Sequence, residues 1–339
     1  ARQVIADLSE AVDQPIPLET AATRESFLQA ARLVGRDAEL KKLSNALGDA
    51  IDGQGSAWLI GGESGVGKSR FVDELRALAL VRGALVLRGY SVSEGGSPYF
   101  LWRPAVRWLA LLTELDDKDL SVLKTIIPDI STLLGRDIPD VEEGDAKAAQ
   151  NRLFDVIEKL FRSQKVPIVV ILEDLHWSKE SLDVLARLNA VVDQLPLLII
   201  GSYRDDERPE LPSKLPGMNV LRLERLSESG IAELSEAMLG EQGRQPEVID
   251  LLQRETEGNV FFLVEVVRAL AEEAGTLERI GMATLPAQVF AGGVQQIIAR
   301  RLAQVPPEAH PLLRAAAVLG RQLDLNILRE IDSYHDIDQ

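Results

Sequence analysis

The sequence holds no cysteine, which excludes a disulfide framework and any thiolate metal or redox site. Its three histidines, at 176, 310 and 335, are too scattered to suggest a zinc site. No apolar run approaches the roughly eighteen residues that a membrane span needs, and the N-terminal stretch does not resemble a signal peptide. The chain is therefore expected in the cytoplasm, with no membrane partner. Basic residues are in deficit: 37 Lys and Arg stand against 53 Asp and Glu, a formal net charge of −16. Sequence-independent nucleic-acid binding requires phosphates neutralised by Lys and Arg, so direct contact with nucleic acid is not expected. A few local cations would still suffice for a triphosphate.

What is present is an ordinary globular composition, 46% apolar over 339 residues, enough for two or three domains with ample core. Residues 1–32 read as linker: Val4, Ile5 and Leu8 make one helical turn, and Pro15 and Pro17 favour extended chain. Leu40, Leu43, Leu47 and Ile51 recur at helical spacing, with Asp37 as the expected N-cap. Apolar runs at 57–60, 84–87, 167–172, 197–201 and 220–223 predict strands. Helices are expected between them. One spans 99–115 and carries Trp102 and Trp108 as core residues. Others lie within 116–165, broken at Pro128 and from Asp137 to Asp145. Another is capped by Ser178, with Leu182, Leu185 and Leu188 on one side. From Ser227 onward only helices are predicted. Strands alternating with helices give an α/β domain with a parallel sheet and right-handed crossovers. The unbroken run Ile168 to Leu172 marks a central strand covered on both faces.

The most informative stretch follows the first predicted strand. Gly62, Gly67, Lys68 and Ser69 satisfy G-x-x-x-x-G-K-[ST], the phosphate-binding loop. Its glycines let the backbone curl so that successive N–H groups point into one concavity. The helix that follows aims its unpaired N–H groups and positive dipole end at the same spot. Lys68 adds a point charge for the β- and γ-phosphates, and the Ser69 hydroxyl can ligate Mg²⁺. Glu173 and Asp174 stand directly after the run 168–172. Two adjacent acids leaving a dry sheet repel each other and are costly to desolvate. A divalent cation resolves the cost, one carboxylate holding Mg²⁺ and the other orienting or deprotonating a water. Arg204 ends the next strand, at the edge where open parallel sheets bind ligands. It reaches the γ-phosphate there, or else pairs with Asp205 or Asp206 on the surface. His176 and Trp177 either touch this site or pack a strand-to-helix turn.

These residues form an ordered series with Leu33-Val34-Gly35-Arg36…Glu39, Pro98-Tyr99 with Trp102, Leu172-Glu173-Asp174-Leu175-His176-Trp177, Gly201-Ser202-Tyr203-Arg204, and Thr256-Glu257-Gly258-Asn259 with Phe261-Phe262. The series resembles the AAA-type ATPase module of the signal-transduction ATPases with numerous domains. Such modules occur in large ATP-binding LuxR-type regulators, cyclase-linked ATPases and multidomain Ser/Thr kinases. The resemblance covers about residues 33–331. It implies a P-loop nucleotide-binding domain at 33–225, a helical lid at 226–283 and the start of a winged-helix domain at 284–339. Val34, Gly35 and Arg36 would line the adenine pocket. Gly62, Glu63, Ser64, Gly65, Val66, Gly67, Lys68, Ser69 and Arg70 would hold the phosphates of ATP or ADP. Glu173 would take the Mg²⁺-side position, and Asp174 the water-activating one. Arg204 would read the γ-phosphate, and Gly258 and Asn259 of the lid would lie near the nucleotide. The order Glu-then-Asp reverses the commoner one, so the division of labour between the acids, metal-holding included, stays open. The shorter Asp174 predicts slow hydrolysis. Val260 stands where such lids often carry proline. Residues 1–8 resemble the last helix of a Ser/Thr kinase domain, so a kinase-like domain upstream and repeats downstream are expected.

Three functions compete. The first is a regulatory switch, held closed by ADP and opened or self-associated by ATP. The second is an oligomeric motor or loader with steady turnover, for which no arginine finger is evident. The third is a scaffold with a vestigial nucleotide site, against which the complete loop and the paired acids count. Neither the N-K-x-D of guanine-nucleotide binders nor the L-S-G-G-Q of transporter ATPases occurs. A slow, Mg²⁺-dependent ATPase switch is the expectation.

Overall fold

A computed structural model describes residues 33–91, 97–140, 145–274, 299, 302–303 and 305–319. The expected linker at 1–32, the lid residues beyond 274 and most of the expected winged-helix segment lie outside the described residues.

Five strands form one sheet: β1 (Ser56–Gly61), β2 (Leu85–Tyr90), β3 (Ile168–Glu173), β4 (Leu197–Tyr203) and β5 (Asn219–Arg222). Their order is β2-β3-β4-β1-β5, and every neighbouring pair is parallel. Helices cover both faces, which is why β3 and β4 read as unbroken apolar runs rather than alternating ones. Val169 and Ile171 pack with Leu43 and Leu47 of α1 (Asp37–Ile51) and with Phe71 and Leu75 of α2 (Lys68–Val81). On the other face, Val170 and Leu172 pack with Leu109 of α3 (Arg103–Leu112), Phe161 of α4 (Ala146–Arg162) and Leu185 of α5 (Ser181–Asn189). Each such buried side chain contributes about 1.5–3 kcal/mol relative to exposure. The chain is thus an α/β protein built on a P-loop sheet flanked by helices.

A third apolar cluster joins Leu226 to α6 (Glu228–Leu239), α7 (Pro246–Thr256) and α8 (Val260–Ala274). Ile231, Leu234, Leu252, Leu263 and Val267 form it, and Val34 packs against it from before α1. Ser227 caps α6 by accepting from the Gly230 amide at 3.3 Å.

Several local expectations change. β2 begins at Leu85 and runs on to Tyr90, past the apolar residues that suggested it. The helix expected over 99–115 is a 3₁₀ turn, Phe100–Trp102, followed by α3. Trp102 is core and donates its indole N–H to the Ser181 carbonyl at 2.9 Å, whereas Trp108 is 57% exposed on the outer side of α3. Asp37 is not the N-cap of α1. Arg36 holds that place, and Asp37 lies in the first turn, where its charge still favours the dipole. Ser178 does not cap α5, which starts after Glu180; its hydroxyl meets that of Ser91 instead. Among the described residues, no helix is long and apolar enough to cross a membrane.

Candidate nucleotide site

The ends of β1, β4 and β3 meet at one edge of the sheet because the register sets Gly61 beside Tyr203 and Gly201 beside Leu172. The phosphate loop leaves β1 there. Gly65 and Gly67 hold φ of +82° and +101°, the left-handed region that side chains rarely adopt. A Cβ on Gly65 would also lie 2.9 Å from Phe261 Cβ. Gly67 is the N-cap of α2, no side chain caps that terminus, and its first turn carries no acid. The amides and the positive end of the dipole are therefore left for an anion. Lys68 is folded over the loop, its Nζ donating to the carbonyls of Gly62 at 2.6 Å and Glu63 at 2.8 Å. Burial pushes its pKa down and the Arg204 charge adds to that, with Asp206, Asp205 and Asp174 opposing. A phosphate between two such cations would relieve their repulsion.

The acids at the end of β3 differ sharply. Glu173 is 1% exposed. It accepts from Arg88 Nε at 2.6 Å through Oε1 and from the Ser69 hydroxyl at 3.3 Å through Oε2. Asp174 turns the chain with φ +60°, a left-handed conformation rare outside glycine and tolerated best by Asn and Asp. Its amide donates to the Ser202 hydroxyl at 3.4 Å, and its carbonyl accepts from the Trp177 amide at 3.0 Å. Arg208 braces the following turn, donating to the carbonyls of His176 at 3.1 Å and Ser178 at 2.6 Å. Arg204 pairs with Glu207, not with Asp205 or Asp206, and its guanidinium lies 5.8 Å from the Trp177 ring centroid. Glu207 also approaches His176 Nε2 at 3.4 Å. Burial lowers the His176 pKa, and Asp174 and Glu207 oppose it.

Ser69 and Glu173 place a hydroxyl and a carboxylate oxygen within one hydrogen bond of each other beside the loop. Hard oxygen donors of this kind fit Mg²⁺, which keeps several waters and takes its remaining ligands from phosphate. Among the described residues, no three His, Cys, Asp or Glu side chains gather as a metal site of their own.

The helical region closes on the same loop. Asn259 donates to Glu63 Oε1 at 3.1 Å and to the Ser64 carbonyl at 2.9 Å, and the Phe261 amide donates to the Gly65 carbonyl at 2.9 Å. Arg225 grips Glu63 at 2.7 Å and pairs with Glu257. The Arg225 hydrogen bond, with help from Asn259, holds the Glu63 carboxyl below its ordinary pKa against partial burial. Gly258 (φ +81°) accepts through its carbonyl from the Leu226 amide at 2.8 Å. Val34, Gly35 and Arg36 lie against the same junction. A Cβ on Gly35 would lie 3.2 Å from Leu226 Cδ2, and the buried Arg36 donates to the Glu224 carbonyl and pairs with Glu39. Arg70, at the start of α2, pairs with Glu74 at 3.5 Å. Sequence reasoning missed Arg88, Arg208 and Arg225. Of these only Arg88 carried a local signal, a charge at the end of an apolar run.

The AAA ATPase domain family matches residues 32–200. An uncharacterised protein of Rhizobium meliloti (strain 1021) is 26% identical over 325 residues, covering 88% of this chain and 31% of that protein. The chain thus spans about a third of the length of the curated relative it matches. Among solved structures, Cdc6p from Pyrobaculum aerophilum is similar at 15% identity and a TM-score of 0.47, over 75% of this chain and 67% of that one. Drosophila ORC bound to DNA is similar at 15% identity and a TM-score of 0.47, over 88% and 70%. The phosphate loop at the end of β1 and the acid at the end of β3 both lie within residues 32–200, the stretch that is similar to the AAA ATPase domain family.

Proposed function

We propose that this chain is the nucleotide-responsive switch of a larger polypeptide, binding ATP or ADP with Mg²⁺ and hydrolysing ATP slowly. The observation that carries this reading is the join between loop and lid. Asn259 and the Phe261 amide bond to Ser64 and Gly65, so a phosphate seated in the loop touches the element that holds the lid. A nucleotide drives a conformational change only through its differential affinity for two states. Arg204 supplies the difference in this reading, leaving Glu207 for a γ-phosphate that ADP lacks. Val34, Gly35 and Arg36 would hold the adenine, Ser69 and Glu173 the Mg²⁺, and Asp174 would act on the attacking water. The division into a nucleotide-binding domain, a lid from 226 and a winged-helix start belongs to the same reading. Its partners are other domains of the polypeptide, kinase-like upstream and repeats downstream. Nucleic acid has no part in it, given a net charge of −16.

Calorimetry of the wild type and of Lys68→Ala tests the switch. ADP is expected to bind more tightly than ATP, and Lys68→Ala to lose both. Equal affinities for ADP and ATP overturn the switch, and undiminished binding by Lys68→Ala overturns the nucleotide site.

A further inference from the structure

Burial of Glu173 raises the question of what balances its charge. A divalent cation was the expectation from sequence, yet the chain brings its own cation. Arg88 lies on β2 beside Ile171 of β3, and Tyr90 stands beside Glu173. From there its guanidinium reaches two acids on different elements, Glu173 at the end of β3 and Asp73 on α2 at 2.8 Å. The guanidinium carbon lies over the Tyr90 ring, 5.1 Å from its centroid, within cation–π range. The two oxygens of Glu173 thus face different groups: Oε1 meets Arg88, and Oε2 meets the Ser69 hydroxyl.

We propose that Arg88 is a positioning residue that holds Glu173 as a one-oxygen acceptor beside Ser69 and keeps the Asp73–Glu173 pair from taking a divalent cation before phosphate arrives. The inference rests on the nucleotide reading above and deepens it. Without the guanidinium, Asp73, Glu173 and Ser69 would offer a doubly negative set of hard oxygen donors, which attracts Mg²⁺ by itself. With Arg88 between the two acids the set carries a single negative charge. A cation then gains enough attraction only together with the phosphates, whose own charges it neutralises. Metal and nucleotide therefore arrive as one unit. Lysine lacks the planar fork that spans two carboxylates, so it would do this work incompletely.

Mn²⁺ titration of the whole chain, followed by the electron paramagnetic resonance of the free ion, tests this. Wild type is expected to take up Mn²⁺ with ADP and not without it. Arg88→Met is expected to bind Mn²⁺ without nucleotide, with affinity raised by about tenfold or more, and Arg88→Lys to fall between the two. Stoichiometric Mn²⁺ on nucleotide-free wild type overturns the proposal without any variant, so it stays testable if Arg88→Met does not fold. Folded Arg88→Met with unchanged Mn²⁺ affinity overturns it as well. Failure of the underlying reading has a different signature: wild type would bind no ADP in calorimetry, whatever Arg88→Met does with Mn²⁺.

Discussion

Asn259 concentrates two tasks in one buried side chain. Its Oδ1 accepts from the amides of Phe261 at 3.1 Å and Phe262 at 3.4 Å, which caps the start of α8, while its Nδ2 donates to Glu63 and Ser64. Substitution can separate the tasks. Asn259→Ala loses the cap and both loop bonds, and is expected to cost about 1–3 kcal/mol in stability. Asn259→Asp keeps the cap, since a carboxylate accepts from amides equally well. It loses the donor and sets a charge against Glu63, so stability should fall less while ADP affinity falls as far as in the alanine variant. Urea denaturation and calorimetry of both variants check this; equal losses of stability would mean that the cap contributes nothing. The family resemblance singled out the Gly258-Asn259 pair in the sequence. That the asparagine bonds the loop itself was not legible there, because Ser64 and Asn259 meet only through the third dimension.

At the scale of elements, the turn Leu175–Trp177 decides how the acids are presented. Asp174 adopts a conformation that costs of order 1–3 kcal/mol in an ordinary residue, and Arg208 and Ser202 hold it there. His176 sits inside this turn with its pKa lowered by burial first, with smaller contributions from Arg204 and Lys68 in the same direction. The sign follows. The unfolded chain binds the proton at higher pH than the folded one, so stability is lost as pH falls below about 6.5 towards the lowered folded value. His176→Gln should flatten this fall, visible as a smaller difference between urea midpoints at pH 7.5 and 5.5. A slope as steep as that of the wild type would assign the fall to other groups. Strands were the most legible elements, because 168–172 and 197–200 are apolar enough for burial on both faces. β2 was legible only to Leu87, since Arg88, Gly89 and Tyr90 serve an acid and a close approach rather than a core. A Cβ on Gly89 would lie 1.9 Å from the Leu101 carbonyl oxygen. Caps were the least legible: Asp37 and Ser178 are good capping residues that stand one residue past, and two before, the N-cap positions they were expected to fill.

For the whole molecule, two apolar clusters share the sheet and the third belongs to α6, α7 and α8. The first two cannot open separately without exposing β3 and β4, whose residues are buried throughout. The third can part from them by breaking the polar contacts at Glu63, Ser64, Arg225 and Asn259 and the packing of Val34. Native-state hydrogen exchange in rising urea should therefore show α6–α8 opening at lower free energy than β3 and β4, with ADP narrowing the gap. A single opening shared by all these elements would refute the separation. The phosphate loop was legible in full because its parts are contiguous. The arginines that brace its surroundings, at 88, 208 and 225, were not, because their partners lie far away in sequence.

The strand order has a consequence for synthesis. β1, which carries the loop, has β4 and β5 as its neighbours and not β2 or β3. While the chain emerges from the ribosome, β2 and β3 can pair with each other, but β1 waits unpartnered until β4 is out. Long-range parallel pairing of this kind is slow to form and exposes apolar edges meanwhile. The hydrophobic strand next to the loop is thus the stretch that a nascent chain most needs to keep from its neighbours, and it is finished last.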